Sequence, residues 1–200
     1  MTLRIASWLV SLFAPAEKAE AIVGDMLEEF SRLAESSGIA AARRWYWRES
    51  IRTAAHLAAA AISAAPWLTA AAVVGGFLLI RYIGTVPEKV LLAVLDKYQV
   101  FENHFDAYRF LSYYGLLICH LVTMALIGWL VAMAAKGREM ISTLTLAFVQ
   151  TALALFGFFV VTTRTGHWGG MPLAWMLSFP AAVVAGGVIV RTRRVRFQGI

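Results

Sequence analysis

The sequence predicts an all-α membrane protein in which an N-terminal cytosolic helical hairpin (residues 1–52) precedes a domain of four transmembrane helices (53–200). Three observations predict it. The chain of 200 residues is 60% hydrophobic and 15% charged, with a mean hydropathy of +0.69, whereas soluble domains average about half apolar and about a quarter charged. Four apolar runs approach the roughly 20 residues that a bilayer-crossing helix needs. The charge is concentrated ahead of them, in GDMLEEFSRLAESSGIAAARRWYWRE at 24–49.

The first element is apolar but short. Arg4 precedes IASWLVSLF, and APA at 14–16 resembles a signal-peptide cleavage site. A single charge before the run, and Ser7 and Ser11 within it, favour a short amphipathic helix on the membrane surface.

Pro15 is suited to open the next helix, with Glu17 in its first turn. Ile22, Met26, Phe30 and Leu33 then share one face. Ser36, Ser37 and Gly38 end it, the glycine suiting a left-handed cap. A second helix begins near Ile39, with Trp47, Ile51 and Ala55 along one side. The first helix is acidic and the second basic. Folding them antiparallel brings Glu28 or Glu29 level with Arg48, and Asp25 level with Arg52. Such exposed pairs are worth under about 1 kcal/mol each. Burial of Ile22, Met26, Phe30 and Trp47 is expected to dominate, at about 1.5–3 kcal/mol per large side chain.

The apolar runs fall at 66–84, about 110–135, about 142–163 and about 171–190. Pro66 removes a backbone donor and pushes the preceding residue out of the helical region, so a break is predicted near Ala65. An amphipathic segment at about 85–110 opens with Pro87 and Glu88; Val90, Leu91, Val94, Leu95 and Tyr98 would lay it on the outer surface. The turn KGRE makes spans two and three antiparallel neighbours. Small residues at four-residue spacing (Ser178, Ala182 and Gly186; Ala71 and Gly75; Ala72 and Gly76) mark helix contact faces. Ten lysines and arginines lie near span ends on one side: Arg43, Arg44, Arg48, Arg52, Lys136, Arg138, Arg191, Arg193, Arg194 and Arg196. The other side holds Arg81, Lys89, Lys97, Arg109 and Arg164. Both termini are therefore expected in the cytoplasm. The net charge of +6 follows this topology and forms no nucleic-acid-binding stripe.

Within the hairpin, Gly24-Asp25-Met26-Leu27-Glu28-Glu29-Phe30, a Ser/Gly break, and Ala42-Arg43-Arg44-Trp45-Tyr46-Trp47-Arg48 form a pattern. Over roughly residues 15–55 it resembles the permease prefix domain, a helical module ahead of MacB/FtsX-type ABC permeases in bacteria and in some small membrane proteins. The resemblance implies a helical cytosolic module associated with transport or its regulation, in the bacterial inner membrane. It supplies no catalytic residues. A permease of that family would carry a large domain between its first two spans, where this chain has about 26 residues. No G-x-x-x-x-G-K-[ST] loop is present, so the chain is not the ATPase.

Two sets of residues carry functional weight. Asp25, Glu28, Glu29, Arg44, Trp45, Trp47 and Arg48 are expected to dock a protein partner, since Trp, Tyr and Arg dominate binding hot spots. Trp45-Tyr46-Trp47 also suits a membrane-interface anchor. The acids lack a histidine at i+3, so a salt-bridged face is expected there, not a metal site. The second set is intramembrane and polar: His120, Thr123 and Gln150. A haem on His120 would need a second histidine at matching depth, and His56, His104 and His167 lie elsewhere. A neutral His120 bonded between helices is expected, its partner coming from Gln150, Thr143, Thr145 or Thr151. His104, between Glu102 and Asp106, is a weaker metal or pH candidate, and GHWGG at 166–170 reads as a turn. Neither G-x-S-x-G nor H-E-x-x-H occurs. The expected function is a non-catalytic membrane accessory or regulatory protein, with no cofactor, no metal and no nucleic acid, in contact with the lipid bilayer and with a protein of a membrane complex. The alternatives are a redox subunit built on His120 and a small channel or transporter using the polar face of span three.

Overall fold

The computed structural model describes residues 2–14, 16–135, 137–165 and 173–198. Among these, all regular structure is helical. Four stretches are long and apolar enough to cross a bilayer: Pro66–Lys97, Phe105–Ala134, Glu139–Arg164 and Trp175–Arg194. The chain divides into two compact units, one of residues 1–69 with 191–200, the other of residues 70–190.

The first unit is built from α1 (Thr2–Phe13), α2 (Ala16–Ser37) and α3 (Ile39–Ala64). Gly38 separates α2 from α3 at φ +85°, a conformation only glycine adopts without strain. The proposed helix start at Pro15 lies outside the described residues. Past the turn, the chain doubles back and the Phe30 ring meets Tyr46 edge-on, centroids 5.8 Å apart. Met26 is buried in the same cluster, flanked by Ile22, Val23 and Phe30, as helical spacing predicts.

Two expectations are corrected in this unit. The face of α3 that is buried is Ala42, Tyr46, Ser50 and Ala54, and Ile51 is exposed. Tyr46, not Trp47, is the fully buried aromatic; Trp47 is half-buried beside it. The cause is α1, which is no isolated surface helix. Its Ala6 and Val10 are fully buried against this cluster. Ala42, Ser50 and Ala54 are small enough to let another helix approach α3. Arg191, near the C-terminal end of the chain, completes the unit. Its Nη2 donates to the carbonyls of Ser11, at 3.1 Å, and Ala14. These are orphan acceptors at the end of α1, where a cation also meets the negative end of the helix dipole.

The predicted break falls where the sequence places it. Ala65 adopts φ −159°, ψ 78°, and Pro66 opens α4 (Pro66–Tyr82).

The second unit contains most of α4, then α5 (Val86–Lys97), α6 (Val100–Asn103), α7 (Phe105–Phe110), a π-helical turn (Leu111–Gly115), α8 (Leu116–Ala134), α9 (Glu139–Thr165) and α10 (Leu173–Gln198) up to Val190. Its core is Met124, Ile127, Val131, Leu146 and Val183. A Cβ on Gly76 would meet Val131, one on Gly84 would meet Met124, and one on Gly115 would meet Leu91. As the chain runs from 76 to 91, its partners run back from 131 to 115. Segment 85–97 therefore continues the first pass antiparallel along α8, and does not lie apart as a surface loop. Leu95 is buried, whereas Val90, Val94 and Tyr98 are exposed. The pass kinks at Gly84, whose N–H bonds to both Leu79 and Ile80 carbonyls at 3.1 Å. A side chain there would collide with the Ile80 carbonyl.

Gly128 on α8 and Gly186 on α10 bring two backbones together: a Cβ on Gly128 would strike Val183 backbone, and one on Gly186 would strike the Ala125 carbonyl. The predicted small-residue faces through Gly186 and Gly76 are contact faces, whereas Gly75 has nothing within 4 Å. Gly187 similarly fits against Thr143 of α9. At the start of α9, the Gly137 N–H donates to Glu139 Oε1 at 3.0 Å.

Candidate functional site

The docking residues predicted on the first unit divide between two faces. On α2, Glu28 is exposed and Glu29 half-buried, and Arg32 of the same helix holds both: Nη2 to Glu28 Oε1 and Nη1 to Glu29 Oε2, each 3.0 Å. Asp25 is exposed one turn earlier. The expected bridges from Glu28 or Glu29 to Arg48, and from Asp25 to Arg52, are not formed among the described residues. The reason is reach: carboxylates three and four residues before an arginine lie on its own helical face, whereas Met26 and Phe30, not the acids, face α3.

On α3, Arg44 and Arg48 are exposed one turn apart, with half-buried Trp45 between them. Together with Ala41 they line an open cavity of about 380 Å³. Trp45 is oriented by an edge contact with Tyr46, centroids 6.4 Å apart. Neither guanidinium has a carboxylate within ion-pair reach among the described residues.

In the second unit, His120 is fixed by three elements. Nδ1 lies 3.1 Å from the Leu116 carbonyl. Nε2 lies 3.6 Å from Glu88 Oε2 on α5. The ring stacks on Phe179 of α10, with centroids 5.3 Å apart and planes at 28°. A carbonyl only accepts, so the Nδ1 contact requires a proton on Nδ1. A neutral ring would then present a lone pair to a carboxylate. Nε2 and the carboxylate face each other just beyond hydrogen-bond distance.

The expected partners of His120 on the third span are otherwise engaged. Thr143 donates to the carbonyls of Glu139 and Met140, and Thr151 to Ala147. Gln150 Nε2 reaches Met124 Sδ at 3.7 Å, and its buried Oε1 has no partner among the described residues. Thr123 donates to the Cys119 carbonyl at 2.7 Å. His120, Thr123 and Gln150 therefore do not form one network. Glu88 is the residue missed from sequence. Its signal was the helical spacing of Glu88, Leu91, Leu92 and Leu95, which places the acid on the side that Leu95 buries. Among the described residues, no three His, Cys, Asp or Glu side chains converge as a metal cluster would.

No protein-family model, no curated protein and no solved structure matches this chain.

Proposed function

We propose that the chain is a non-catalytic, multi-pass membrane protein of the bacterial inner membrane whose first unit docks a protein partner on the cytoplasmic side. The carrying observation is the acidic face of α2. The first unit has its own core of Ala6, Val10, Met26 and Tyr46, yet Asp25 and Glu28 project from it into solvent beside a half-buried Glu29. A small helical unit with a closed core and a charged outer face is suited to recognition, with charge complementarity setting specificity and association rate. Arg44, Trp45, Trp47 and Arg48 lie on α3 of the same unit, on a face separate from the acids. The lysine and arginine distribution supports cytoplasmic termini. The resemblance of residues 15–55 to the permease prefix domain supports an accessory or regulatory role beside an ABC-type permease.

The test is a mild-detergent purification of the full chain from its native cells, beside a D25K/E28K/E29K variant. A stoichiometric partner that is present with the native protein and lost with the variant, at unchanged helical content, supports the reading. A partner retained by the variant overturns it.

A further inference from the structure

We infer that the cavity between Arg44 and Arg48 seats the phosphodiester headgroup of an anionic membrane lipid. Two guanidinium groups one helical turn apart border it, and Trp45 lies between them. Glu28 and Glu29 pair with Arg32 on their own helix, and neither Arg44 nor Arg48 has a carboxylate within ion-pair reach among the described residues. Arginine presents a planar fork of donors that matches phosphate oxygens, and indole is at home at the headgroup level.

The continuation of the same helix face selects lipid as the source of the phosphate. Beyond Arg48 it presents Ile51, Arg52, Ala55, Ala59 and Ile62, all exposed. Ile51 is 56% and Ile62 42% exposed. Cations followed by uncovered apolar side chains is the order a helix shows when it passes from headgroups toward acyl chains. Pro66 then opens the first apolar pass. The inference does not depend on the partner reading, which rests on the acidic face of α2.

The experiment uses the full chain in nanodiscs of phosphatidylcholine with a minor fraction of phosphatidylglycerol, and native mass spectrometry to count retained lipids. The native protein should retain phosphatidylglycerol in preference to phosphatidylcholine. R44Q/R48Q should lower that retention at least about tenfold, R44K/R48K should lower it less, and R32Q should leave it unchanged. Millimolar inorganic phosphate should not displace the lipid. Equal retention by native protein and R44Q/R48Q, with both equally helical, would overturn the proposal. Displacement by inorganic phosphate would also overturn it and reassign the cavity to a free anion. The D25K/E28K/E29K variant should keep its lipid, which separates this outcome from the fate of the partner.

Discussion

The Tyr46 hydroxyl lies 2.8 Å from the Ser7 hydroxyl, joining α3 to α1 across 39 residues of sequence. Ser7 spends its single proton on the Leu3 carbonyl, at 2.9 Å, so Tyr46 is the donor. Tyr46→Phe keeps the ring packing and removes this one bond. It should destabilise the protein by about 1 kcal/mol. Tyr46→Ala also removes the ring at the centre of the cluster and should cost about 3–5 kcal/mol. Reversible unfolding in mild detergent measures both; a Tyr46→Ala variant as stable as the native chain would refute this account of the core.

The two glycine contacts give opposite expectations for one type of substitution. Gly128→Ala and Gly186→Ala place a methyl group into neighbouring backbone, and each should destabilise by about 1–3 kcal/mol. Gly75→Ala and Gly157→Ala meet nothing within 4 Å and should be neutral or gain up to about 1 kcal/mol from helix propensity. Melting temperatures of the four variants in one detergent decide it.

The tautomer that the Leu116 carbonyl sets on His120 is directly observable. With ¹⁵N-labelled histidine, the His120 signal should report a protonated Nδ1. Glu88→Gln supplies an amide N–H to Nε2 and should be tolerated; Glu88→Ala should not. A double-mutant cycle with His120→Ala should return a coupling of about 0.5–3 kcal/mol. A coupling near zero would mean that the two side chains are only neighbours.

Arg191 should protect α1 specifically. Hydrogen exchange across residues 3–14 should quicken in Arg191→Ala, with a loss of about 1.5–3 kcal/mol for a charged hydrogen bond. Arg191→Lys should recover only part of it, because an ammonium group lacks the planar fork. Unchanged exchange in α1 would refute the capping role.

The apolar spans, the break at Ala65 and the turn at Gly38 were legible in the sequence because each depends on local chemistry: hydropathy, a proline, a glycine. The Met26 and Phe30 face was legible for the same reason. The α3 face was misjudged by one position, Trp47 for Tyr46, because what covers it is α1, and a 12-residue apolar helix shows no sign in its own sequence of what it packs on. Glu88 escaped because its meeting with His120 depends on the antiparallel register of two passes. That register is set by contacts of Gly76, Gly84 and Leu91 with α8 and the turn before it, partners remote in sequence.

Arg191 follows Ser11 by 180 residues, which gives its bond to α1 a meaning in time. At roughly 5–20 residues per second of synthesis, α1 waits about 10–40 s for the side chain that satisfies its terminal carbonyls. During that interval all four apolar passes emerge from the ribosome. The first unit is thus begun before the four passes are made and completed after them. A chain interrupted after its third pass would hold α2 and α3 but lack the side chain that clasps α1.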